Sequence, residues 1–229
     1  MTESHGLYRL LSWLSPSYPI GSFSYSHGLE AAIEAGFVSD AETLTTWLTD
    51  IVEEGAGRND AIFLRAAYEA SLADDDQALS KVADLAAAFQ PSAELLLETT
   101  AQGRAFLDTT SAAWPAATLE RLRQVQPGRL ALPVVVGAAA AGHGVPPGAA
   151  LHGYLHGFSA NLVSAGVRLV PLGQTDGQRI IAALEPVISG TVQEILGLDE
   201  PLDHLASNTF LNDWCSMRHE TQYTRLFRS

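Results

Sequence analysis

Two long apolar runs on either side of a short break constrain the fold of this chain more than any other feature. The first run occupies residues 149–170 and the second residues 176–196, and each spaces its apolar residues as one face of a helix does. Between them stand Pro171, which ends a helix, and Gly173, which supplies a flexible turn. Two long helices of this kind bury their apolar faces against other helices, so the stretch predicts a helical bundle.

The rest of the chain is also patterned for helices. Hydrophobic residues make up 47% of the 229 residues, alanine and leucine dominate, and β-branched residues are sparse, a composition that favours helix. Residues 134–142 are small and apolar on all sides, which predicts a helix at the centre of the core. Ser39-Asp40, with Glu42, is predicted to cap one helix, and Asn59 or Asp60 to cap another that runs to Leu72.

Weaker signals place the remaining helices. They are predicted at residues 7–14, 25–35 and 116–125, after the acidic run 74–76, after Pro91-Ser92, and as a turn near residues 210–219. The chain is therefore predicted to be all-α, a single-domain helical bundle of roughly ten helices over residues 1–229. Residues 217–229 are predicted to form a C-terminal tail that docks on a partner.

Charge and cysteine content narrow the expected partners and compartment. The formal net charge is −13 and Lys81 is the only lysine, so the chain lacks the clustered cations that follow a phosphate backbone, and no nucleic acid is expected. Cys215 is the only cysteine, and the N-terminus has no secretory pattern. The longest apolar run, residues 130–142, is too short to span a membrane. These features predict a cytoplasmic protein with no membrane segment.

The charge is unevenly distributed along the chain. Residues 1–100 hold sixteen acids and four bases, whereas residues 101–229 hold ten acids and nine bases. An acidic half of this kind faces either solvent or a basic partner, and both interpretations stay open.

Two patterns offer residue types used in catalysis. The loop at residues 21–28 is rich in serine and contains His27, with Glu30 shortly after it, so a serine activated by histidine can be considered there. Serine and glycine after a helix are also common as loop and cap residues, which is the alternative interpretation. His152 and His156 are spaced i, i+4 on one helix face, a weak candidate for a metal site without a third ligand close in sequence. A packed or partner-facing histidine pair is the favoured alternative.

The C-terminal sequence "YTRLFRS" is unusual for a chain end, which is commonly polar and frayed. It alternates aromatic, arginine and apolar residues, the types found at interface hot spots. It can dock either on its own domain or on another protein, and the second is favoured. The predicted partner-binding residues in this segment are Tyr223, Arg225, Leu226, Phe227 and Arg228.

Four segments resemble the urease accessory protein UreF family. They are "SPSYPIGSFSYSHGLEAAIEAGFV" at residues 15–38, the following "AETLTTWL", "NLVSAGVRLVPLGQTDGQRII" and "RHETQYTRLFRS". The resemblance runs nearly end to end, and residues 72–126 carry little of it. It implies an all-helical protein that homodimerises and takes part in inserting nickel into urease.

The resemblance also implies partners and site residues. It implies that the chain is not an enzyme, that it binds UreD (also called UreH), and that this binding orders the tail and recruits the GTPase UreG. The resemblance further implies that the complex passes nickel to the urease apoprotein through a tunnel, so nickel is expected in transit and no cofactor is expected to stay bound. The partner-binding residues carried over by motif are Tyr25 and Arg225.

The break at residues 171–174 is interpreted as a structural joint near a dimer or partner surface. Gln174 and Gln178 can hydrogen-bond exposed backbone groups there, and Arg168 can stack on the joint or pair across it. A functional alternative is that Arg168, and with it Glu30, faces a bound GTPase, where an arginine would act as an arginine finger. A stand-alone metal enzyme using His152 and His156, or a nickel carrier, is the competing class.

Overall fold

The computed structural model describes residues 3–229, with side chains from residue 5 onward, and this part of the chain is helical without a strand. The α-helices are α1 (Glu3–Trp13), α2 (Leu29–Glu34), α3 (Ala41–Glu54), α4 (Ala56–Leu72), α5 (Asp76–Ala88), α6 (Ala93–Ala113), α7 (Ala117–Val125), α8 (Leu132–Gly142), α9 (Pro147–Leu169), α10 (Gln174–Gly197) and α11 (Phe210–His219). Short 3-10 helices cover Ser22–Ser24 and Pro201–His204. The prediction of an all-α bundle of roughly ten helices is confirmed.

Three helices begin at side-chain caps that the sequence supplies. Asp40, Asp75 and Ser92 each accept a hydrogen bond from the main-chain N–H three residues on, at 2.8, 2.9 and 3.1 Å. A cap of this type stabilises a helix by about 1 kcal/mol, because it satisfies a donor that has no partner within the helix. The predicted cap at Asp40 is therefore confirmed.

Two predicted helix starts are wrong. The predicted cap at Asn59 or Asp60 fails because α4 begins at Ala56, and both residues are buried inside the helix. The helix predicted to begin near Tyr25 begins only at Leu29, because His27 and Gly28 take positive φ values of 57° and 81°. Both errors come from the packing of other elements, which local propensity does not report.

Helix α8 lies at the centre of the core, as its uniform apolar character predicts. Val134 and Val135 are fully buried, and α4 packs directly against α8. The approach is so close that a Cβ on Gly137 would lie 2.3 Å from the carbonyl oxygen of Leu64. Glycine is required here because the space that a side chain would fill is occupied by the α4 backbone.

Helices α9 and α10 pack against each other across the joint at residues 170–173. The N–H of Gly173 donates to the Asp176 carboxylate at 3.2 Å, so Asp176 caps α10 in place of the predicted glutamines Gln174 and Gln178. Arg168 points away from the joint, toward the serine-rich loop and the C-terminal tail.

Helix α10 is the one described helix whose length and hydropathy would also allow it to cross a membrane. It buries Ile180, Leu184 and Ile188 at helical spacing and packs on α9 and α3. A single helix with these properties is weak evidence for a membrane segment, since bundle helices share them.

Candidate functional site: the docked C-terminal tail

The C-terminal tail, defined here as residues 220–229, packs on its own domain. Phe227 is 4% exposed and Ser229 is fully buried. Main-chain hydrogen bonds join the tail to the serine-rich loop: Arg228 N–H donates to the Ser24 carbonyl at 2.8 Å, and Ser26 N–H donates to the Ser229 oxygen at 3.0 Å. Of the two placements that the sequence allowed, the single chain adopts the one on its own domain. The segment predicted as tail, residues 217–229, begins within the last turn of α11.

Glu30 is the main anchor of the tail. Its two carboxylate oxygens accept the main-chain N–H groups of Leu226 and Phe227 at 2.7 and 2.8 Å. Glu30 reaches this position because the left-handed residues His27 and Gly28 turn the chain sharply before α2. A Cβ on Gly28 would lie 2.9 Å from the Ser216 nitrogen, so α11 can pack here only against glycine.

A buried histidine joins Glu30 to a second carboxylate. His219 is fully buried, with Nε2 3.2 Å from Glu30 and Nδ1 2.6 Å from Glu94. Carboxylates only accept hydrogen bonds, so both contacts are hydrogen bonds when the ring carries both protons. Glu94 also accepts from Arg225 at 2.7 Å. Two carboxylates thus hold one imidazole and one guanidinium between α2, α6, α11 and the tail.

Arg168 clamps the tail from the opposite side. Its guanidinium carbon lies 3.7 Å from the centre of the Phe23 ring and 4.3 Å from that of Phe227. The same group donates to the Phe23 carbonyl at 3.1 and 3.2 Å. Burial lowers the pKa of Arg168. The arginine-finger hypothesis would require these contacts to open.

The predicted partner-binding residues fall into two groups. Tyr25, beneath the tail, and Phe227, on the inward side of the tail, are both buried, and the Tyr25 ring centre lies 5.8 Å from the Arg228 guanidinium carbon. Tyr223 is fully exposed and Leu226 is 65% exposed. The first group holds the tail in place, and the second is presented to solvent together with part of Arg225 and Arg228.

A cavity of about 220 Å³ lies beneath the loop and extends between α1, α4, α6 and α9. Its buried polar groups include His27, Asp60, Glu98 and Tyr154. The Tyr154 hydroxyl donates to Asp60 at 2.6 Å, and Glu98 accepts from the Ser229 hydroxyl at 2.5 Å, so the tail reaches the cavity wall.

Burial changes the pKa values of ionisable side chains that line this cavity. It raises the pKa of Asp60 to about 6, although the Tyr154 hydrogen bond and His27 oppose the shift. Burial alone lowers the pKa of His27, but the Glu98 carboxylate, 3.5 Å from Nδ1, Asp60 and Asp213 together outweigh it and leave that pKa raised. The cavity wall therefore brings together buried acids and one imidazole, and the pKa values of both Asp60 and His27 are raised.

In the part of the chain that the structure describes, the residues of the two catalytic patterns have other surroundings. The Ser26 hydroxyl donates a hydrogen bond to the Ser229 main-chain oxygen, and the charged neighbour of His27 is Glu98. His152 and His156 are exposed on α9, and His152 hydrogen-bonds the Gly148 carbonyl at 3.0 Å. Among the described residues, no three or more His, Cys, Asp or Glu side chains form a group that could hold a metal ion.

Sequence reasoning did not single out Glu94, Glu98, Asp60 or His219 as site residues. Each lies on a different helix turn or element, and His219 is separated from Glu94 and Glu30 by 125 and 189 positions. A charged residue on the apolar side of a helix, as with Glu94 and Glu98 in α6, is the one local signal that could have indicated them.

The fold and the site thus define a helical bundle that holds its own C-terminal segment in a fixed conformation, with selected side chains facing outward. A sequence model of the UreF family matches residues 38–185. Urease accessory proteins UreF from two Rhodopseudomonas palustris strains, BisB5 and HaA2, are 54% and 55% identical over 227 residues, covering 99% of this chain and 93% and 95% of theirs. UreF of Bradyrhizobium sp. ORS 278 is 53% identical over 227 residues, 99% of this chain and 93% of its own.

The chain therefore belongs to the UreF family of urease accessory proteins, as the resemblance indicated. Membership assigns it a role in urease maturation.

Proposed function

We propose that this protein is a non-catalytic adaptor that binds UreD (UreH), recruits the GTPase UreG, and so supports GTP-dependent nickel delivery to the urease apoprotein. The observation that carries the proposal is the docked tail. Glu30 bonds its main chain, while Glu94 and Arg168 contact the Arg225 and Phe227 side chains. The tail held in this way presents Tyr223 and Leu226 to solvent. Preordering lowers the entropic cost of binding, so this segment is suited to a partner.

Tyr223 and Leu226 are largely exposed in the single chain, so they bury little apolar surface there. Large apolar side chains on a surface segment gain about 1.5–3 kcal/mol each on full burial, which a partner can supply. Arginine beside aromatic and apolar residues is typical of interface hot spots. We assign the exposed partner-binding role to Tyr223, Arg225, Leu226 and Arg228. Tyr25 and Phe227, which are buried between the tail and the bundle, take a supporting role.

The experiment is co-purification of UreD with variants of the full chain. Replacing Tyr223 and Leu226 by alanine leaves the anchors intact and is expected to weaken UreD capture at least tenfold. The matched control replaces Tyr8 and Leu72, exposed residues of the same types that lie far from the tail in sequence. Equal capture by the two double variants would exclude the exposed tail as the docking element.

The nickel and GTPase parts of the proposal are tested separately. We propose that nickel passes as cargo without a resident site on this chain, so the isolated protein should hold no stoichiometric nickel, and His152→Ala or His156→Ala should not change that. If Arg168 or Glu30 acts on the GTPase, then Arg168→Ala should abolish stimulation of GTP hydrolysis by an assembled complex. Loss of complex assembly in the same variant would assign Arg168 to tail clamping alone.

We further propose that the protein acts as a cytoplasmic homodimer. The exposed side of α10 carries Ala182, Ala183, Pro186 and Gly190, small residues that allow close helix packing. Light scattering of wild type and Ala183→Glu should give a dimer and a monomer, respectively. A monomeric wild type at micromolar concentration would contradict this part of the proposal.

A further inference from the structure

A second surface feature lies apart from the tail, between α3 and the N-terminal part of α11. It is an open groove of about 570 Å³, called the acidic groove below. Its lining comprises Phe37, Glu42, Thr43, Thr46, Trp47, Asp50, Ile51, Glu54, Asn208, Thr209, Leu211 and Asn212. Nothing in the proposed tail interaction uses these residues.

The floor of the acidic groove is aromatic and partly open to solvent. Phe37 stacks on Trp47 with ring centres 6.4 Å apart and planes 10° apart, and Trp214 meets Phe37 edge-on at 6.3 Å. Phe37, Leu211 and Trp214 are 41%, 41% and 38% exposed. Solvent exposure of these apolar side chains is unfavourable, and contiguous exposed patches of this type mark binding sites.

The charged residues on the rim of the acidic groove are all acidic. Glu42, Asp50 and Glu54 are exposed, and none of them belongs to the ion pairs found among the described residues. The lining contains no lysine or arginine. Arg218, which lies 5.6 Å from the Trp214 ring, is a cation at the far end of the aromatic row. Carboxylates around an apolar floor attract a cationic partner and repel an anionic one.

Three buried polar atoms in the lining residues lack hydrogen-bond partners within the described chain. They are the indole Nε1 of Trp47 and both side-chain amide atoms, Nδ2 and Oδ1, of Asn212, a residue that is 3% exposed. A buried polar atom without a partner costs free energy, so such atoms are uncommon unless a ligand or water supplies the missing bond. Two donors and one acceptor suit the C=O and N–H of a peptide group.

The groove wall is held rigidly by the chain itself. The main-chain N–H of Asn208 donates to the Glu54 carbonyl at 2.9 Å, and the side-chain amide of Asn59 donates to the Ala206 carbonyl at 2.7 Å. Gly55 lies so close to Thr209 that an added Cβ would be 2.6 Å from its hydroxyl oxygen. The groove is thus preformed, which lowers the cost of binding a segment in it.

We propose that the acidic groove binds a peptide segment of another protein that carries lysine or arginine side chains around a central apolar side chain. The aromatic floor takes the apolar side chain, Glu42, Asp50 and Glu54 pair with the cations, and Trp47 and Asn212 bond the peptide group. This interaction goes beyond the proposed tail contact with UreD and does not depend on it.

A second copy of this chain is the less suitable occupant. The formal net charge of −13 makes two copies repel each other at an acidic surface. Of the thirteen lysine and arginine residues, at least seven already sit in ion pairs within the chain. A cationic segment is therefore better supplied by a different protein.

The test measures binding of a fluorescent lysine-rich peptide with one central tryptophan, and of its glutamate counterpart, to the full-length chain. The groove variant is Glu42→Lys with Asp50→Lys. The matched control is Glu120→Lys with Asp199→Lys, which makes the same change in net charge at one exposed glutamate and one exposed aspartate outside the groove. Circular dichroism and thermal unfolding establish that both variants fold.

The proposal predicts that the lysine-rich peptide binds wild type, that the control variant binds it within a factor of about three, and that the groove variant binds it about tenfold or more weakly. The glutamate peptide should not bind measurably. Trp47→Phe, which keeps an aromatic side chain but removes the unpartnered indole N–H, should weaken binding severalfold at unchanged salt dependence.

Three results would overturn the proposal. Equal weakening in groove and control variants would reduce the binding to general attraction by an acidic protein. Equal binding to all chains would place the peptide elsewhere. Light scattering that shows self-association lost only in the groove variant, together with no peptide binding, would assign the groove to a second copy of this chain.

Discussion

Removing the Glu30 carboxylate should release the C-terminal tail while leaving the bundle folded. In Glu30→Ala, the N–H groups of Leu226 and Phe227 lose their acceptors, and His219 loses one of its two carboxylates. Hydrogen bonds to a charged group contribute about 1.5–3 kcal/mol each, and we use the lower value because Leu226 is 65% exposed. The two main-chain bonds then amount to about 3 kcal/mol, or about a hundredfold in the opening equilibrium of the tail.

Hydrogen exchange of the Leu226 and Phe227 amides measures this opening directly, because an amide exchanges only when its hydrogen bond is broken. We expect both amides to exchange about a hundredfold faster in Glu30→Ala than in wild type, with the amides of α8 unchanged. Glu34→Ala is the control, since Glu34 is an exposed glutamate on the same short helix.

Unchanged exchange of both tail amides in Glu30→Ala would refute the reasoning. It would mean that the remaining contacts, chiefly those of Arg168 and Ser26, suffice to hold the tail without its carboxylate. Faster exchange in α8 as well would show that Glu30 supports the whole bundle and not the tail alone.

Three further perturbations test the core, the cavity and the arginine clamp. Gly137→Ala should lower the free energy of unfolding by about 1–3 kcal/mol in urea, since the new Cβ overlaps the α4 backbone, whereas Gly197→Ala, with open space around it, should be neutral or stabilising; equal effects would contradict the account. Because the folded-state pKa of Asp60 is raised from 3.8 to about 6, its proton stabilises the fold at low pH, and that stability is lost as the pH rises through about 6. Asp60→Asn keeps an acceptor for Tyr154, so it should gain about 1.5 kcal/mol on wild type between about pH 5 and about pH 8 in urea unfolding, and parallel pH profiles would contradict the prediction. Arg168→Ala should speed exchange of the Phe227 amide about tenfold through loss of its cation–π contact, while Arg179→Ala, at an exposed arginine, should not.

The helices that could be predicted from the sequence are those whose signal is local. The long runs of α9 and α10, the all-apolar α8 and the cap at Asp40 each depend on spacing or on one side chain within a few residues. The start of α4 could not be predicted in this way. Asn59 and Asp60 are good caps in isolation, but the structure uses them as buried partners of Ala206 and Tyr154.

The site was predictable only in outline. The aromatic and arginine pattern of the tail identified it as a docking segment, but the pattern does not reveal which side chains face inward. That choice follows from Glu30, which binds two consecutive N–H groups and thereby turns Phe227 into the domain and leaves Leu226 outside. The His219 and Glu94 contacts depend on helix packing across more than a hundred positions, which spacing cannot report.

The proposed adaptor function is tested most directly by ordered co-purification. The full-length chain, a chain ending at Glu220, and Glu30→Ala are each presented with UreD and then with UreG. If the tail is the docking element, the full-length chain captures UreD, UreG joins only that pair, the truncated chain captures neither, and Glu30→Ala captures UreD more weakly. Undiminished capture of both partners by the truncated chain would contradict the account and place the interface on the bundle itself.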